Sequence, residues 1–221
     1  MDPRDVFGLI PGGILIVGGC AVYLYTRYKY EPPASEFKDL AELKQHLSAG
    51  RPGFQISDSS VIVEGTVAKL AESSVRSENA GIEGAARKVL SASQGKTSTV
   101  SDISVPFLLT DPNGQSIRVT SVHRALRVSQ VMERVWEEPS PKPGGVPVRR
   151  ELMLTFGIHL GLFGRASLDG ANEVTLVPEE VDKSSAAIIA KRKCHRRLLY
   201  AGSFILILGG AAALVINFVK E

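Results

Sequence analysis

Leu198 to Val219 reads LLYAGSFILILGGAAALVINFV, twenty-two residues without a charge. At about 1.5 Å of rise per residue, a helix of that length runs roughly 33 Å and crosses the hydrocarbon of a bilayer. Lys191, Arg192, Lys193, Arg196 and Arg197 stand just before it, where long cationic side chains reach lipid headgroups. The other end of the chain repeats the pattern. Val6 to Tyr25, VFGLIPGGILIVGGCAVYLY, is also uncharged, and Arg27 and Lys29 close it among Tyr23, Tyr25, Tyr28 and Tyr30, the aromatic belt of a membrane boundary. A signal peptide starts with basic residues and has a shorter apolar run; here Asp2, Arg4 and Asp5 sum to −1. A buried core helix does not end in a basic, tyrosine-rich belt. The chain therefore divides into a tail (1–5), a first span (6–25), a body (31–190), a basic flank (191–197), a second span (198–219) and a tail (220–221).

This division explains the composition. An apolar share of 44% beside 22% charged residues reflects apolar residues gathered at the two ends. The isoelectric point near 8.9 invites a nucleic-acid partner, but the basic excess belongs to the membrane flanks. The body from Tyr30 to Ala190 has a net charge of −3, whereas a nucleic-acid footprint needs Lys and Arg on the folded domain. The expected partner is the lipid bilayer. Two cysteines, Cys20 and Cys194, exclude a disulfide-stapled scaffold. With His46, His123, His159 and His195 they make six possible zinc ligands. A RING, with two zincs of four ligands each, needs eight. No pair of these residues has a metal-site spacing, so no cofactor is expected. Each histidine reads as a surface or satisfied core residue. Glu64 and Asp111 are candidate paired carboxylates that nothing in the sequence requires to meet. Cys194, among basic neighbours, is a candidate redox or acylation site, with an incidental thiol the plainer reading. Gly8 and Gly12 form one G-x-x-x-G and Gly209 and Ala213 a small-residue pair. Glycine is common in membrane helices, so this spacing alone assigns no contact.

The body reads as a β-rich (α+β) single domain between two transmembrane α-helices. Glu36 to Leu47 places Phe37, Leu40, Leu43 and Leu47 at helical spacing, with Ser35 as N-cap and Gly50 to Gly53 as its stop. Ser60 to Leu70 is β-branched and alternating, a strand. Val105–Thr110 and Ser116–Thr120 flank the turn Asp111-Pro-Asn-Gly114 and predict a hairpin. Glu151 to Leu168 is an apolar run broken by Gly157, Gly161 and Gly164, which suggests strands with bulges. Asp169 to Asn172 then turns into a strand at Glu173–Val177. Glu78–Thr99 and the proline-rich Glu137–Val148 read as loops, the first with weak strand character near Arg87–Leu90. Val122–Trp136 fits a helix or a strand, the helix being the favoured reading. Glu179–Arg197 is read as a second helix running into the span, its acidic start and basic end matching the macrodipole.

The order of these pieces carries a resemblance. A span and a short helix precede Val61-Ile-Val-Glu64-Gly65-Thr-Val67 and Ser74-Val-Arg76-Ser77. Val105-Pro106-Phe107-Leu-Leu109 follows with Asp111 and Gly114. Then come Glu151-x-Met-Leu154, Gly157, Leu160, Gly164, Leu168-Asp169 and Leu176-x-Pro178, ahead of the second span. From about residue 5 to residue 219 the chain resembles the mitochondrial outer-membrane ubiquitin ligases, the mitochondrial ubiquitin ligase activator of NF-κB family, whose domain between the spans is the GIDE or "beside a membrane" domain. The resemblance implies a multi-pass outer-membrane protein with the β-rich domain in the intermembrane space and both ends in the cytosol. It also implies a link to protein ubiquitination and to regulators of mitochondrial organisation and signalling. Family members carry a cytosolic RING after the second span, where this sequence ends at Glu221. The stretch after Gly81 is poorer in aromatic residues than the family pattern, and basic flanks on the domain side put that domain in the cytosol by the positive-inside rule.

Three functions follow. The first is a scaffold or regulator without a RING, acting with full-length family ligases as a homo- or hetero-oligomer and not catalytic alone. The second is a truncated or spliced form of a RING-type ligase. The third is a membrane-anchored hydrolase or ligand-binding domain, for which His159 or His123 would have to meet a carboxylate in a pocket.

Overall fold

The computed structural model describes residues 3–30, 35–37, 39–49, 59–71, 73–93, 96–138, 148–168 and 173–219. Two compact units emerge: Ser35–Ile188, and the terminal segments Met1–Ala34 and Ile189–Glu221.

Among the described residues the first unit has eleven strands and two short helices. Its strands are β1 (Ser35–Phe37), β2 (Ser59–Ala68), β3 (Val75–Arg76), β4 (Glu83–Ser93), β5 (Lys96–Ser104), β6 (Phe107–Thr110), β7 (Ser116–Val119), β8 (Glu133–Glu138), β9 (Arg149–Thr155), β10 (His159–Leu168) and β11 (Val174–Asp182). The helices are α2 (Leu40–Ser48) and α3 (Val128–Val131), which follow α1 (Pro3–Tyr30) of the terminal unit. A long helix, α4 (Ser185–Val219), starts three residues after β11.

One sheet runs β1-β2-β10-β11-β7-β6, and β6 pairs back onto β2. Five of its strands therefore close into a barrel. Counted along the chain these are β2, β6, β7, β10 and β11, and they close in the order 1-2-3-5-4-1. The β7–β11 contact is parallel and the other four are antiparallel. That is the connectivity of an OB barrel. Alternation along the strands fills it. Val61, Val63 and Val67 from β2, Phe107 and Leu109 from β6, Ile117 and Val119 from β7, and Leu160 and Leu162 from β10 are buried in one core. Each such side chain contributes roughly 1.5–3 kcal/mol over its exposed state. Glycines permit the closure. A Cβ on Gly65 would sit 2.7 Å from the Thr110 carbonyl oxygen, where β2 turns to meet β6, and one on Gly164 would sit 2.2 Å from that of Val177. Gly164 follows the register shift that bends β10 against β11.

A second, antiparallel sheet, β3-β4-β9-β8 with β5 also on β4, is formed by two insertions. The segment between β2 and β6 supplies β3, β4 and β5, and that between β7 and β10 supplies β8 and β9.

Several expectations are corrected. Ser35 does not cap a helix over Glu36–Leu47. It opens β1, and Asp39 caps α2 by accepting from the Ala41 amide at 2.7 Å. Leu40, Leu43 and Leu47 do form the buried face, but Phe37 is buried from a strand. The loop expected over Glu78–Thr99 is largely β4 and the start of β5. Small and polar residues hid it, because Ala85 and Ala86 fill buried sites that a larger apolar residue would have advertised. Of the Val122–Trp136 stretch, for which the sequence favours a helix over a strand, only the single turn of α3 is helical, and from Glu133 onward it is strand β8. The helix expected from Glu179 starts only at Ser185; Glu179, Glu180 and Asp182 end β11 instead. The hairpin at Asp111–Gly114 and the strand over Ser60–Leu70 appear as read. The stop at Gly50–Gly53, most of the proline-rich segment and the turn at 169–172, with Asp169, lie outside the described residues.

In the terminal unit α1 and α4 pack antiparallel. A Cβ on Gly210 would meet the Gly12 carbonyl oxygen at 2.6 Å, and one on Gly19 the Ser203 carbonyl oxygen at 2.9 Å. The contact glycines are thus Gly12 and Gly19 of α1, seven residues apart, and Gly210 of α4. Gly209, singled out in the sequence, faces open space. One helix among the described residues, Ser185–Ile216, is long and apolar enough to cross a membrane, with a mean hydropathy of 2.2. By that measure the second expected span qualifies. The described apolar part of the first, Gly12–Arg27, is shorter, the side chains of residues 3–11 being outside the described set.

Candidate functional site

The residues singled out by the sequence gather in three polar knots within the β unit. The tightest lies on the second sheet. Glu151 of β9 is 1% exposed. It accepts from the Ser77 hydroxyl at 2.9 Å, the Glu78 amide at 3.2 Å and the Asn79 side-chain amide at 3.3 Å. Arg87 of β4 places its guanidinium 3.8 Å from Glu151 and 2.8 Å from Glu78, and donates to the Arg76 carbonyl at 3.4 Å. The Ser77 hydroxyl also accepts from the Ala80 amide. Arg76-Ser77 and Glu151, far apart in sequence, thus form one lock. Arg76 enters it through its backbone.

The second knot is the Asp111 turn. One carboxylate oxygen accepts from the Asn113 and Gln115 amides, both at 2.9 Å. The other accepts from the Leu40 amide at 3.1 Å. Asp111 therefore shapes the β6–β7 turn, where Gly114 takes φ +81°, and caps α2 at the same time.

The third knot surrounds the start of α4. Glu64 of β2 accepts from the Ser185 amide at 2.7 Å and meets His159 Nε2 at 2.8 Å. The Ser185 hydroxyl donates to Glu36 at 3.2 Å, and the Ser184 hydroxyl accepts from the Ala187 amide. Two carboxylates so stand at a helix N-terminus, where the dipole favours them. Gly161 makes room, since a Cβ there would lie 2.4 Å from the Ser184 carbonyl carbon. Partial burial pushes the Glu64 carboxyl up; the hydrogen bonds from Ser185 and His159, with the His159 charge, outweigh it and bring its pKa below the ordinary value. The acidic cap expected from Glu179–Asp182 is supplied instead from β1 and β2. Nothing in the local sequence signals that, because the partners lie 121 and 149 residues from Ser185.

The remaining motif residues are structural. Phe107 is fully buried behind a half-buried Pro106. Gly164 pairs with Pro178 across β10–β11, Gly157 takes φ +90° in the turn between β9 and β10, and Leu168 packs against the core. Glu64 and Asp111 serve separate knots and do not pair. His159 does meet a carboxylate, that of Glu64, whose other oxygen accepts from the Ser185 amide at the start of α4. His123 is exposed and bonds the Ser121 hydroxyl, which in turn meets Ser104 at 2.9 Å. Among the described residues no three His, Cys, Asp or Glu side chains converge as metal ligands. Cys20 and Cys194 are exposed free thiols. Arg27, Lys191, Lys193 and Arg197 are exposed, Arg192 and Arg196 half-buried, and the Lys29 side chain lies outside the described set.

The chain matches no protein-family model, and no curated protein matches it in sequence.

Proposed function

We propose that this chain is a two-span membrane protein akin to the mitochondrial outer-membrane ubiquitin ligases, in which the barrel unit is a scaffold or regulator for ligase assemblies and not itself a catalyst. One observation carries this reading: the residues on which the resemblance rests are the joints of a single construction. Gly65, Gly164 and Pro178 lie where the barrel bends and closes. Ser77 and Glu151 lock the second sheet. Asp111 ties a hairpin to α2, and Glu64 holds the first amide of a helix whose apolar length suits a membrane. A spaced pattern of structural joints supports likeness of architecture, and with it a shared role as a platform. The paired glycines of α1 and α4 support a first span, since close backbone approach is how membrane helices associate. On this reading the barrel unit lies in the intermembrane space.

The test is affinity purification of the tagged full chain from mitochondria in mild detergent. Recovery of a RING-type ligase with the chain is the expected result. A monomer with no ligase attached overturns the scaffold role. Digestion of residues 31–190 by protease added to intact mitochondria overturns the compartment. A second reading, a form of a RING ligase, is tied to one fact: these 221 residues hold two Cys and four His, too few for the zinc-ordered surface that recruits a conjugating enzyme. Reconstituted ubiquitin transfer by these residues alone would overturn both.

A further inference from the structure

We propose that Ser121 is an acyl-acceptor nucleophile with His123 as its base, and that it takes up the acyl group of a small thioester. The site lies in the β unit, is modified once per chain and is independent of the scaffold reading. Its observation is a run of hydrogen bonds that ends on an imidazole. The Val122 amide donates to the Ser104 hydroxyl at 2.9 Å. The Ser104 and Ser121 hydroxyls meet at 2.9 Å, and Ser121 meets His123 Nδ1. An amide only donates, so Ser104 accepts there and has its own proton to give to Ser121. Ser121 in turn gives its proton to His123 Nδ1. This polarity supplies each hydroxyl proton with an acceptor, whereas the reverse leaves the Ser104 proton outside the run. His123 then carries its ring proton on Nε2 and offers Nδ1 as a base.

The three side chains come from two places in the fold. Ser104 ends β5, and Ser121 and His123 lie between β7 and α3. Ser121 is pinned on both sides. Thr120 binds the Leu176 carbonyl through its amide at 3.0 Å and its hydroxyl at 3.4 Å, and Val122 is fully buried. His123 is exposed and Ser121 half-buried, so a reactant can reach the pair from solvent. A hydroxyl within hydrogen-bond reach of a base, both held by a fixed backbone, is the arrangement that activates a nucleophile.

In the step, Ser121 Oγ adds to the thioester carbonyl carbon as its proton passes to His123 Nδ1. The carbon–sulfur bond then breaks, and the leaving sulfur takes that proton and departs as a thiol. Ser121 keeps the acyl group as an ester, and nothing is oxidised or reduced. The leaving group selects the donor. A thiol, with a pKa of about 8.5, leaves readily. An alkoxide leaves poorly, and its ester calls for a cradle of donors around the oxyanion as well as a base.

The test incubates the full chain, in mild detergent, with the acetyl thioester of N-acetylcysteamine and follows acetylation residue by residue with tandem mass spectrometry. Acetyl groups on the exposed thiols of Cys20 and Cys194 are thereby read apart from those on serine. Ser98, exposed and donating to the Ser91 carbonyl at 3.4 Å, is the internal reference. Ser121 is expected to acquire acetyl about 100-fold faster than Ser98, the lower end of what a positioned base supplies. Equal rates overturn the site, and this comparison is made within the wild-type chain, so no variant has to fold for it. His123→Gln keeps an acceptor for the Ser121 proton but cannot take that proton up. It should bring Ser121 down to the rate of Ser98. Fast acetylation of Ser121 that survives His123→Gln overturns the pairing of nucleophile and base.

Discussion

The two sheets of the β unit solve the same problem by different means. The barrel is closed by backbone pairing and filled by alternating valine, leucine and isoleucine, so its strands declare themselves in the sequence. The second sheet rests on β4, EGAARKVLSAS, which has few large apolar residues and carries an arginine in its buried face. What holds it is the Glu151 lock, a buried carboxylate with three hydrogen-bond donors and a guanidinium close by. Hydrophobic filling tolerates local change because volume is shared among many neighbours. A buried ionic lock does not, because removing one member strands the others.

The sharpest way to break this contrast is Glu151→Ala. It takes the nearby buried charge from Arg87, whose side chain is 9% exposed and keeps only the more exposed Glu78 as an ionic partner, and removes the Glu151 acceptor from the Ser77 hydroxyl. The expected loss is about 3–5 kcal/mol, measured by denaturation of the full chain. A loss under about 1 kcal/mol would mean that β4 and β9 are held by their ladder alone. Replacing Gly164 by alanine tests the barrel in the same terms. The new methyl meets the Val177 carbonyl at 2.2 Å, and backbone must move. The expected cost is about 1–3 kcal/mol, readable as a lower melting temperature. A neutral result would show that β10 and β11 can reseat around the bulge. Asp111→Ala probes the joint between the barrel hairpin and α2. Three amides lose an acceptor, two of them near solvent, so about 1–2 kcal/mol is expected, with earlier amide exchange at Leu40.

These differences also explain what could be read in advance. Strand β2 and the β6–β7 hairpin were legible because one face of each is apolar and because Asp-Pro-Asn-Gly allows little but a turn. Strand β4 was not legible. Its inward positions Ala85 and Ala86 are small, and Arg87 reads as surface until Glu151 is known to lie opposite. The knots behave alike: Asp111, Ser77 and Glu64 stood out as residues, but their partners come from distant strands, and spacing along one chain carries no such pairing. On the helices the small-residue spacing picked out Gly12, which lies in the seam, and Gly209, which faces open space, and it passed over Gly19 and Gly210.

The smallest effect is expected at the start of α4, where neither apolar filling nor a fully buried lock operates. Glu64 is part-exposed and its pKa lies below the ordinary carboxylate value, so the folded state favours its ionised form. A group with a depressed folded pKa adds stability above its unfolded pKa and loses it as pH falls through the folded one. The contribution is thus full at neutral pH, declines below the ordinary carboxylate range, and is gone in stronger acid. Glu64→Gln keeps an acceptor for the Ser185 amide but removes the charge from both His159 and the helix dipole. It should cost under about 1 kcal/mol at neutral pH, as part-exposed pairs do, and nothing in acid, where wild type is protonated as well. Melting curves of the two proteins should therefore converge as pH is lowered from 7 toward 3. A constant offset across that range would mean that Glu64 acts by shape alone, and that the strand-to-helix joint, like the barrel, is held by packing.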